Sequence, residues 1–346
     1  MILIIGWLLS LFTPSFARSA PLIEPKQFQE WLLQSQHSPP ILAPDARLRA
    51  RRYHYTFVKG FLNETMPTGY FWDHIAELQS LGVTHDHIHV VSPCSGKSFD
   101  ENQLTVKQEL TQPVLDSDDE PEVIVAHSRA ARDVLAFALL NPTFVREHVK
   151  AIFLIQGALL GSSVADYIKG EGPPIDRRVP SAYRIELEWI GKTARTFGGM
   201  FGIDTGFAEL THLDSAEFLD SIFASHPDAA AMISDKIFYI QGSKNPAHVS
   251  PLIRATAHYL QYSCKIELNE RGESICPNDG LVATHEQWLP GIGTSLAVFN
   301  ADHTDLTNSW PISSEGNRKR LMLTRAIFTS VAQSESGCEA IVAGAN

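Results

Sequence analysis

Short strand-forming segments alternate with helix-forming segments along most of this 346-residue chain. Runs of β-branched, aromatic or continuously apolar residues predict strands at residues 53–58, 87–91, 123–125, 151–155, 237–240 and 295–299. Helical spacing of apolar residues predicts helices at residues 71–81, 129–140 and 316–331. This alternation is typical of an α/β fold, in which helices cover both faces of a mostly parallel central sheet.

The alternation stops between residues 157 and 235. This stretch contains a Gly-rich segment at residues 198–202 and helix-like segments such as residues 216–224. We interpret it as a helical cap inserted above the sheet, and not as an independent domain. The sequence thus predicts one domain over residues 18–346 that carries this cap.

The composition is that of an ordinary folded protein, with 44% hydrophobic and 19% charged residues. The formal net charge is −11, and a small basic cluster at residues 49–52 precedes the first predicted strand. We interpret this cluster as a solvated strand start. An acidic chain without a larger basic patch excludes nucleic acid as an expected partner.

The N-terminal residues 1–17 predict a signal peptide. Residues 2–12 are apolar, Pro14 follows them, and Ser-Phe-Ala at residues 15–17 puts small residues where signal peptidase cleaves. The run is too short to cross a bilayer comfortably. We therefore expect a secreted or periplasmic protein. The alternative is an uncleaved membrane tether, because no Lys or Arg precedes the run.

Four cysteines suit an exported chain. Cys264 and Cys276 flank a predicted hairpin with its turn at residues 269–272, and they lie at nearly equal distances from that turn. We expect a disulfide between them, which stabilises such a short loop by roughly 3 kcal/mol in the chain-entropy model. Other pairings remain open, and Cys94 and Cys338 are expected to be free and buried if they are unpaired.

Ser128 lies between a buried strand and a helix, within Ala-His-Ser-Arg-Ala at residues 126–130. A serine on such a sharp turn is held out of the sheet as a nucleophile, and it needs small neighbours because strand and helix nearly touch there. The following N–H group, that of Arg129, then points at a developing oxyanion. The alternative is a serine that caps an ordinary helix.

Asp279 and His303 follow in the order that a hydrolytic Ser–Asp–His triad takes on this kind of scaffold. Asp279 lies on a turn after the hairpin, and His303 lies just past the strand that ends at residue 299. His303 would accept the Ser128 proton, and Asp279 would fix the imidazole tautomer. His285 is the reserve candidate for the base.

A second oxyanion donor is expected in the turn after the first strand, at residues 58–62. The Phe61 N–H group fills that role in our prediction. The alternative is a plain glycine turn, which Gly60 would satisfy equally well.

On these residues the chain resembles the secreted bacterial triacylglycerol lipases and esterases of the α/β-hydrolase fold, over residues 53–306. It shares Gly-Ser-Ser-Val-Ala-Asp at 161–166, a Leu-Thr-x-Leu stretch at 210–213, Asn-Asp-Gly-Leu-Val at 278–282 and His-x-Asp at 303–305. The resemblance implies an ester hydrolase with Ser128, Asp279 and His303 as its triad. It also implies that the insertion at 157–235 is the lid region.

The chain departs from this family at two places. Lys59 stands before Gly60 where the family usually has histidine, and both glycines of the nucleophile turn are alanines. No cofactor is expected to be required. Some family members hold a structural calcium with an aspartate two residues after the catalytic histidine, and Asp305 is the calcium candidate here.

The sequence therefore predicts hydrolysis of lipid or small-molecule carboxylic esters through an acyl-enzyme. Alternatives on the same scaffold are a polyester depolymerase, a thioesterase or an amidase, and a non-catalytic binding protein is a further alternative. Apolar cap residues predict an acyl-binding surface and a transient lipid contact, unless they pack inward: Trp189, Phe197, Met200, Phe201 and Phe207. The oligomeric state stays open.

Two further patterns carry no function in this interpretation. Ser-Gly-Lys-Ser at residues 95–98 lacks the first glycine of a phosphate-binding loop. His85, His87 and His89 alternate at a strand start, a spacing more typical of surface polarity than of a metal site.

Overall fold

A computed structural model describes residues 20–64, 69–115, 120–201, 204–264, 267–268, 274–309 and 313–334. The predicted signal peptide, the hairpin turn at 269–272 and Cys338 lie outside the described residues. Among the residues described, no helix is long and apolar enough to span a membrane.

The strands of the described residues form one sheet and one short hairpin. They are β1 (His54–Val58), β2 (Ile88–Val91), β3 (Glu122–His127), β4 (Val149–Ile155), β5 (Ile237–Ser243), β6 (Glu267–Leu268), β7 (Ser274–Ile275) and β8 (Thr294–Asn300). The sheet is parallel throughout, in the order β2-β1-β3-β4-β5-β8, while β6 and β7 pair antiparallel. The carboxyl ends of the sheet strands therefore share one edge.

Helices cover both faces of the sheet, as the strand–helix alternation predicts. They are α1 (Pro25–Gln34), α2 (Pro44–Arg52), α3 (Trp72–Ser80), α4 (Phe99–Leu115), α5 (Arg129–Leu140), α6 (Pro142–His148), α7 (Ser163–Lys169), α8 (Ser181–Phe201), α9 (Asp204–Glu209), α10 (His212–Ser225), α11 (Ala229–Ile233), α12 (Arg254–Ser263) and α13 (Ser314–Gln333). Helices α1, α2, α3 and α13 pack on one face, and α4, α5, α6, α10 and α11 pack on the other. Strands β1 and β3 are buried along their whole length, because both faces are covered.

Helices α7 to α11 follow one another between β4 and β5. They occupy the stretch in which the strand–helix alternation of the sequence stops. Helix α8 continues through the first part of the Gly-rich segment and ends at Phe201.

The basic cluster at residues 49–52 is not a strand start, and the prediction there was wrong. It forms the last turn of α2, where Arg49, Arg51 and Arg52 lie at the negative end of the helix dipole. Ala46 and Ala50, one turn apart, bury the inner face of this helix.

Cys264 and Cys276 form a disulfide with their Cα atoms 5.4 Å apart, the pairing expected from the hairpin. Cys94 is free, but it is exposed and not buried. The prediction that it is buried was therefore wrong.

Candidate active site

Ser128 occupies a strained turn between β3 and α5. Its backbone has φ 59° and ψ −128°, and a positive φ is uncommon for a residue with a side chain. A Cβ atom placed on Gly157 would lie 2.8 Å from the Ala131 side chain, so the chain segments around this turn nearly touch. The small residues around Ser128 in the sequence follow from that crowding.

The loop after β1 passes directly beside this turn. A Cβ atom placed on Gly60 would lie 2.8 Å from the Ser128 Cβ and 2.8 Å from the His127 carbonyl oxygen. β1 pairs with β3 in register, Val58 beside Ala126, which brings the two loops together at the carboxyl edge of the sheet. Position 60 thus requires a glycine, because a side chain there would collide with the turn that holds Ser128.

Three side chains that are distant in sequence lie within hydrogen-bonding distance at this edge. The Ser128 hydroxyl donates to His303 Nε2 over 2.8 Å, and His303 Nδ1–H donates to Asp279 Oδ2 over 2.8 Å. The His303 and Asp279 side chains are 5% and 0% exposed, so the path between them is shielded from water. An imidazole in this arrangement can accept a proton from the hydroxyl while the carboxylate stabilises the charge that forms.

The Asp279 carboxylate is satisfied by several donors besides His303. The Leu281 and Val282 N–H groups donate to Oδ1 at 3.0 and 2.9 Å. Gln156 and Gln287 each donate from Nε2 to Oδ2 at 3.1 Å. These bonds offset the cost of burying the carboxylate and fix its orientation.

Sequence reasoning missed both glutamines. Gln156 is the first residue after β4, and it has a positive φ of 46°. The one available signal was its place at the carboxyl end of a buried strand, immediately before Gly157. Gln287 gave no signal, because it lies in an irregular segment.

His127, the residue before Ser128, connects the neighbouring loops. Burial, followed by the nearby His303, holds the pKa of His127 well below its usual range, so its imidazole is neutral near pH 7. Its Nε2–H donates to the His303 carbonyl over 2.9 Å, and its Nδ1 accepts from the Tyr70 hydroxyl. The Tyr70 oxygen in turn accepts the Gly60 N–H at 3.0 Å.

Both predicted oxyanion donors belong to this edge. Arg129 is the first residue of α5, so its N–H group has no acceptor within the helix. The Gly60 carbonyl accepts from Asn63 Nδ2 at 3.0 Å. Because the peptide is planar and trans, that bond turns the Phe61 N–H to the opposite side from the Gly60 carbonyl.

Helix α9 packs on the loop that contains Phe61. The rings of Phe61 and Phe207 meet edge to face with centroids 4.8 Å apart. Arg129 Nη2 donates to Glu209 Oε2 over 2.7 Å, with the arginine side chain only 5% exposed. Helix α9 is therefore joined to the loop after β1 and to the start of α5 by an aromatic contact and a shielded ion pair.

The cap residues predicted to bind an acyl chain separate into groups. Phe207 packs inward against Phe61, while Trp189 is 66% exposed on α8, with Ile185 beside it at 69%. Residues 197, 200 and 201 lie outside the side chains that the structure describes. The exposed pair is an apolar feature of the α8 surface.

His212 links α7 and α10 to the segment after Asp279. Its Nδ1 bonds Asp166 Oδ2 over 2.5 Å, and its Nε2 bonds Glu286 Oε1 over 2.7 Å. Burial opposes the charged form, but the two carboxylates raise the pKa of His212 to about 10. An imidazolium thus bridges α7, α10 and the segment that carries Asp279.

Asp305, the calcium candidate, already faces two ammonium groups. Lys244 Nζ lies 2.7 Å from Asp305 Oδ2 and 3.1 Å from Asp302 Oδ2, and Lys319 Nζ lies 3.4 Å from Asp305 Oδ2. Burial opposes the charge on Lys244, but these carboxylates raise its pKa. The residues present do not fit a calcium ion, because a lysine cation lies between the two carboxylates.

Two further candidates from the sequence are the reserve base His285 and the Ser-Gly-Lys-Ser segment at 95–98. His285 lies 3.8 Å from Glu286 and is not the residue that bonds Ser128. In the segment at 95–98, the Ser95 hydroxyl and N–H both donate to the carboxylate of Glu64, at 2.6 Å each. A carboxylate held there disfavours a phosphate.

No protein-family model matches the sequence, and no curated protein matches it. Among solved structures, a carboxyl esterase from a metagenome is 19% identical with a TM-score of 0.57, covering 87% of this chain and 79% of that one. The mature form of a lipase from Bacillus licheniformis is 16% identical with a TM-score of 0.49, covering 76% of this chain and 88% of that one. The parallel six-stranded sheet, the serine on the turn after β3 and the similarity to the esterase structure together show that this chain has the α/β-hydrolase fold.

Proposed function

We propose that this protein is a serine hydrolase that cleaves carboxylic esters through an acyl-enzyme on Ser128. The single observation that carries the proposal is the hydrogen-bonded path from the Ser128 hydroxyl through His303 to Asp279. A serine that merely capped α5 would need no histidine and no buried carboxylate behind it, and its side chain accepts no capping bond.

The chemistry follows from the direction of these bonds. The Ser128 oxygen attacks the ester carbonyl carbon while its proton passes to His303 Nε2. The tetrahedral intermediate collapses, the ester C–O bond breaks, and His303 returns the proton to the leaving alcohol. Water then attacks the acyl-enzyme by the same route and releases the carboxylic acid.

The N–H groups of Phe61 and Arg129 are the proposed oxyanion donors. Both come from backbone that is fixed before substrate arrives, through the Asn63 bond to Gly60 and through the start of α5. Donors held in place in this way stabilise charge without reorganisation, and loss of one typically lowers kcat by about 100- to 1,000-fold.

The proposed substrates are lipid or small-molecule esters, reached under a cap formed by residues 157–235. The exposed Trp189 and Ile185 on α8 support a transient contact with a lipid interface. The disulfide between Cys264 and Cys276 supports a secreted or periplasmic location after removal of residues 1–17. In this proposal, cap and sheet belong to one domain.

Labelling with a fluorophosphonate probe tests the nucleophile. We expect one probe adduct per chain, which peptide mass analysis locates at Ser128, and loss of p-nitrophenyl ester turnover in Ser128→Ala. Ser225→Ala is the matched control, because Ser225 is an exposed serine at the end of a cap helix. An unlabelled wild-type chain, or full turnover by Ser128→Ala, would instead favour a non-catalytic binding protein.

A substrate panel tests the bond that is cleaved. Short and long acyl p-nitrophenyl esters, a matched thioester, a matched anilide and a polyester film separate an esterase from the related hydrolases. We expect kcat/KM to be highest for an oxygen ester. A higher value for the thioester or the anilide would replace the ester assignment while leaving the nucleophile intact.

A further inference from the structure

A second cluster of titratable side chains lies at the opposite edge of the sheet from Ser128. His54 is the first residue of β1, His87 immediately precedes β2, and Glu120 lies two residues before β3. Because the three strands are parallel neighbours, their amino ends meet. One ligand atom from each of the three side chains lies within 4.8 Å of the others.

His54 is the buried member of this cluster. It is 6% exposed, and neither of its ring nitrogens has a hydrogen-bond partner within the part of the chain that the structure describes. An imidazole without a hydrogen-bond partner can offer a ring nitrogen to a ligand. An unsatisfied buried polar group destabilises the folded chain, so a ligand that bonds this nitrogen has an energetic advantage.

His87 is oriented as a metal-binding histidine is. Its Nδ1–H donates to the Arg51 carbonyl over 3.3 Å, which leaves Nε2 as the nitrogen with the lone pair. That Nε2 lies 3.6 Å from Glu120 Oε2. With the proton on Nδ1, these two atoms offer lone pairs at close to the roughly 3.4 Å that separates ligand atoms around a tetrahedral zinc ion.

The Glu120 carboxylate is held by its other oxygen. Arg52 Nε donates to Glu120 Oε1 over 2.6 Å, and the glutamate side chain is 16% exposed. Ligating carboxylates commonly have such a second hydrogen bond, which orients the free oxygen. This oxygen points toward His87 and carries the negative charge that a cation needs.

We propose that His54, His87 and Glu120 bind a divalent transition-metal ion, with zinc as the best fit. Two imidazoles and one carboxylate are the donors that zinc accepts, whereas calcium and magnesium prefer oxygen alone. The fourth position falls to water or to His89, whose ring centroid lies 5.7 Å from that of His54. The three ligand atoms lie within 4.8 Å of one another, so side-chain movements of about an ångström would bring them to the spacing of a tetrahedral zinc site.

The bound ion would tie together the amino ends of β1, β2 and β3. Strand β3 has six residues between this edge and Ser128, which separates the metal site from the serine by roughly 20 Å. The ion is therefore a structural element of the sheet and takes no part in ester cleavage. Its effect is expected in stability, with kcat unchanged.

Isothermal titration of ZnCl₂ into untagged, EDTA-treated protein, with native mass spectrometry, tests the site. We expect one zinc ion per chain and a rise in Tm of a few degrees in its presence. His87→Ala and Glu120→Gln remove ligands from the partly exposed side of the cluster, and each should weaken binding by about tenfold or more. His54→Ala is less suitable alone, because it also empties a buried position.

His85→Ala is the matched control, since His85 belongs to the same tract, is exposed, and is not in the cluster. Cys94→Ser tests the exposed thiol as an alternative zinc ligand. Both controls should bind zinc as the wild type does. The proposal is overturned if wild-type protein binds no stoichiometric zinc, or if His87→Ala and Glu120→Gln retain wild-type affinity.

Discussion

The Tyr70 hydroxyl donates a hydrogen bond to His127 Nδ1 directly behind the turn that holds Ser128. The same hydroxyl oxygen accepts the Gly60 N–H, and the opposite ring nitrogen of His127 bonds the His303 carbonyl. A single tyrosine therefore links the loop of the proposed oxyanion donor to the backbone of the proposed base. None of these groups would touch the reacting atoms, so Tyr70 is a positioning residue.

Tyr70→Phe removes the hydroxyl and keeps the ring. We expect kcat to fall by about 10- to 100-fold with little change in KM, since the loss of fixed backbone geometry costs less than loss of a donor itself. The rate of fluorophosphonate labelling should fall in parallel, while Tm changes little. A variant with lowered Tm and unchanged kcat would show that Tyr70 serves stability alone.

Asp279→Asn tests the orientation of the imidazole. The introduced amide nitrogen would donate where the carboxylate accepts, so His303 would adopt the tautomer with its proton on Nε2, facing Ser128. We expect kcat to fall by about 10⁴-fold in steady-state ester hydrolysis. Circular dichroism must show an intact fold, and a loss of less than about tenfold would contradict the assigned role.

The sheet and its sequence of strands follow from local patterns in the chain. Strands β3 and β4 contain the continuous apolar runs 123–126 and 151–155 because helices cover both faces, and that pattern is visible without coordinates. Helix α4 was missed because its apolar pattern is weak. Its buried apolar residues Phe99, Val106 and Leu110 are separated by mostly polar residues, so the helical spacing is not apparent along the sequence.

The order Ser128, Asp279, His303 was available from the sequence, because loops at the carboxyl edge of a parallel sheet must lie near one another. The supporting roles of Tyr70 and Gln287 could not be predicted from the sequence in this way. Their roles depend on loop conformations that bring side chains from remote segments to one hydrogen bond each. The periodic spacing of apolar and polar residues along the chain does not predict such contacts.

The histidines at 85–89 are a second case in which contacts between remote segments could not be predicted from the sequence. Along the sequence their alternation indicates an exposed strand start. His85 and His89 by themselves do not predict a metal site. His54 and Glu120 come to His87 only through the order β2-β1-β3, which reverses the chain order of the first two strands. A cluster made by strand order cannot be derived from spacing.

Lys244→Ser tests whether the lysine takes the place of a calcium ion between Asp302 and Asp305. Without its ammonium group, the carboxylates of Asp302 and Asp305 lose the cation that lies between them. We expect a loss of about 1–3 kcal/mol in the free energy of unfolding, less than for a fully buried pair because Lys244 is 13% exposed. Urea denaturation measures the loss.

Calcium should change the thermal stability of Lys244→Ser and of the wild type differently. Millimolar CaCl₂ is expected to raise the Tm of Lys244→Ser, since two facing carboxylates are suitable calcium ligands, and to leave the wild type unchanged. MgCl₂ at equal ionic strength controls for screening of surface charge. An equal rise in the wild type would contradict the interpretation that the lysine excludes the ion.

His212→Gln tests the charged bridge between the cap and the segment after Asp279. The pKa of His212 is raised from its ordinary 6.5 to about 10 in the folded chain, because Asp166 and Glu286 both bond its ring. The folded state therefore holds this proton more tightly than the unfolded state. The stabilisation is complete below pH 6.5 and declines as the pH rises toward 10.

We accordingly expect His212→Gln to be less stable than the wild type at pH 6, with the difference shrinking steadily between pH 7 and pH 10. Urea midpoints at four pH values measure this, and Lys169→Gln is the control, as a cap residue with a more exposed ion pair to Asp204. A pH-independent difference would mean that His212 acts through packing. Glu286 lies seven positions after Asp279. A concurrent loss of kcat would therefore show that the His212–Glu286 bond also helps to position the Asp279 carboxylate.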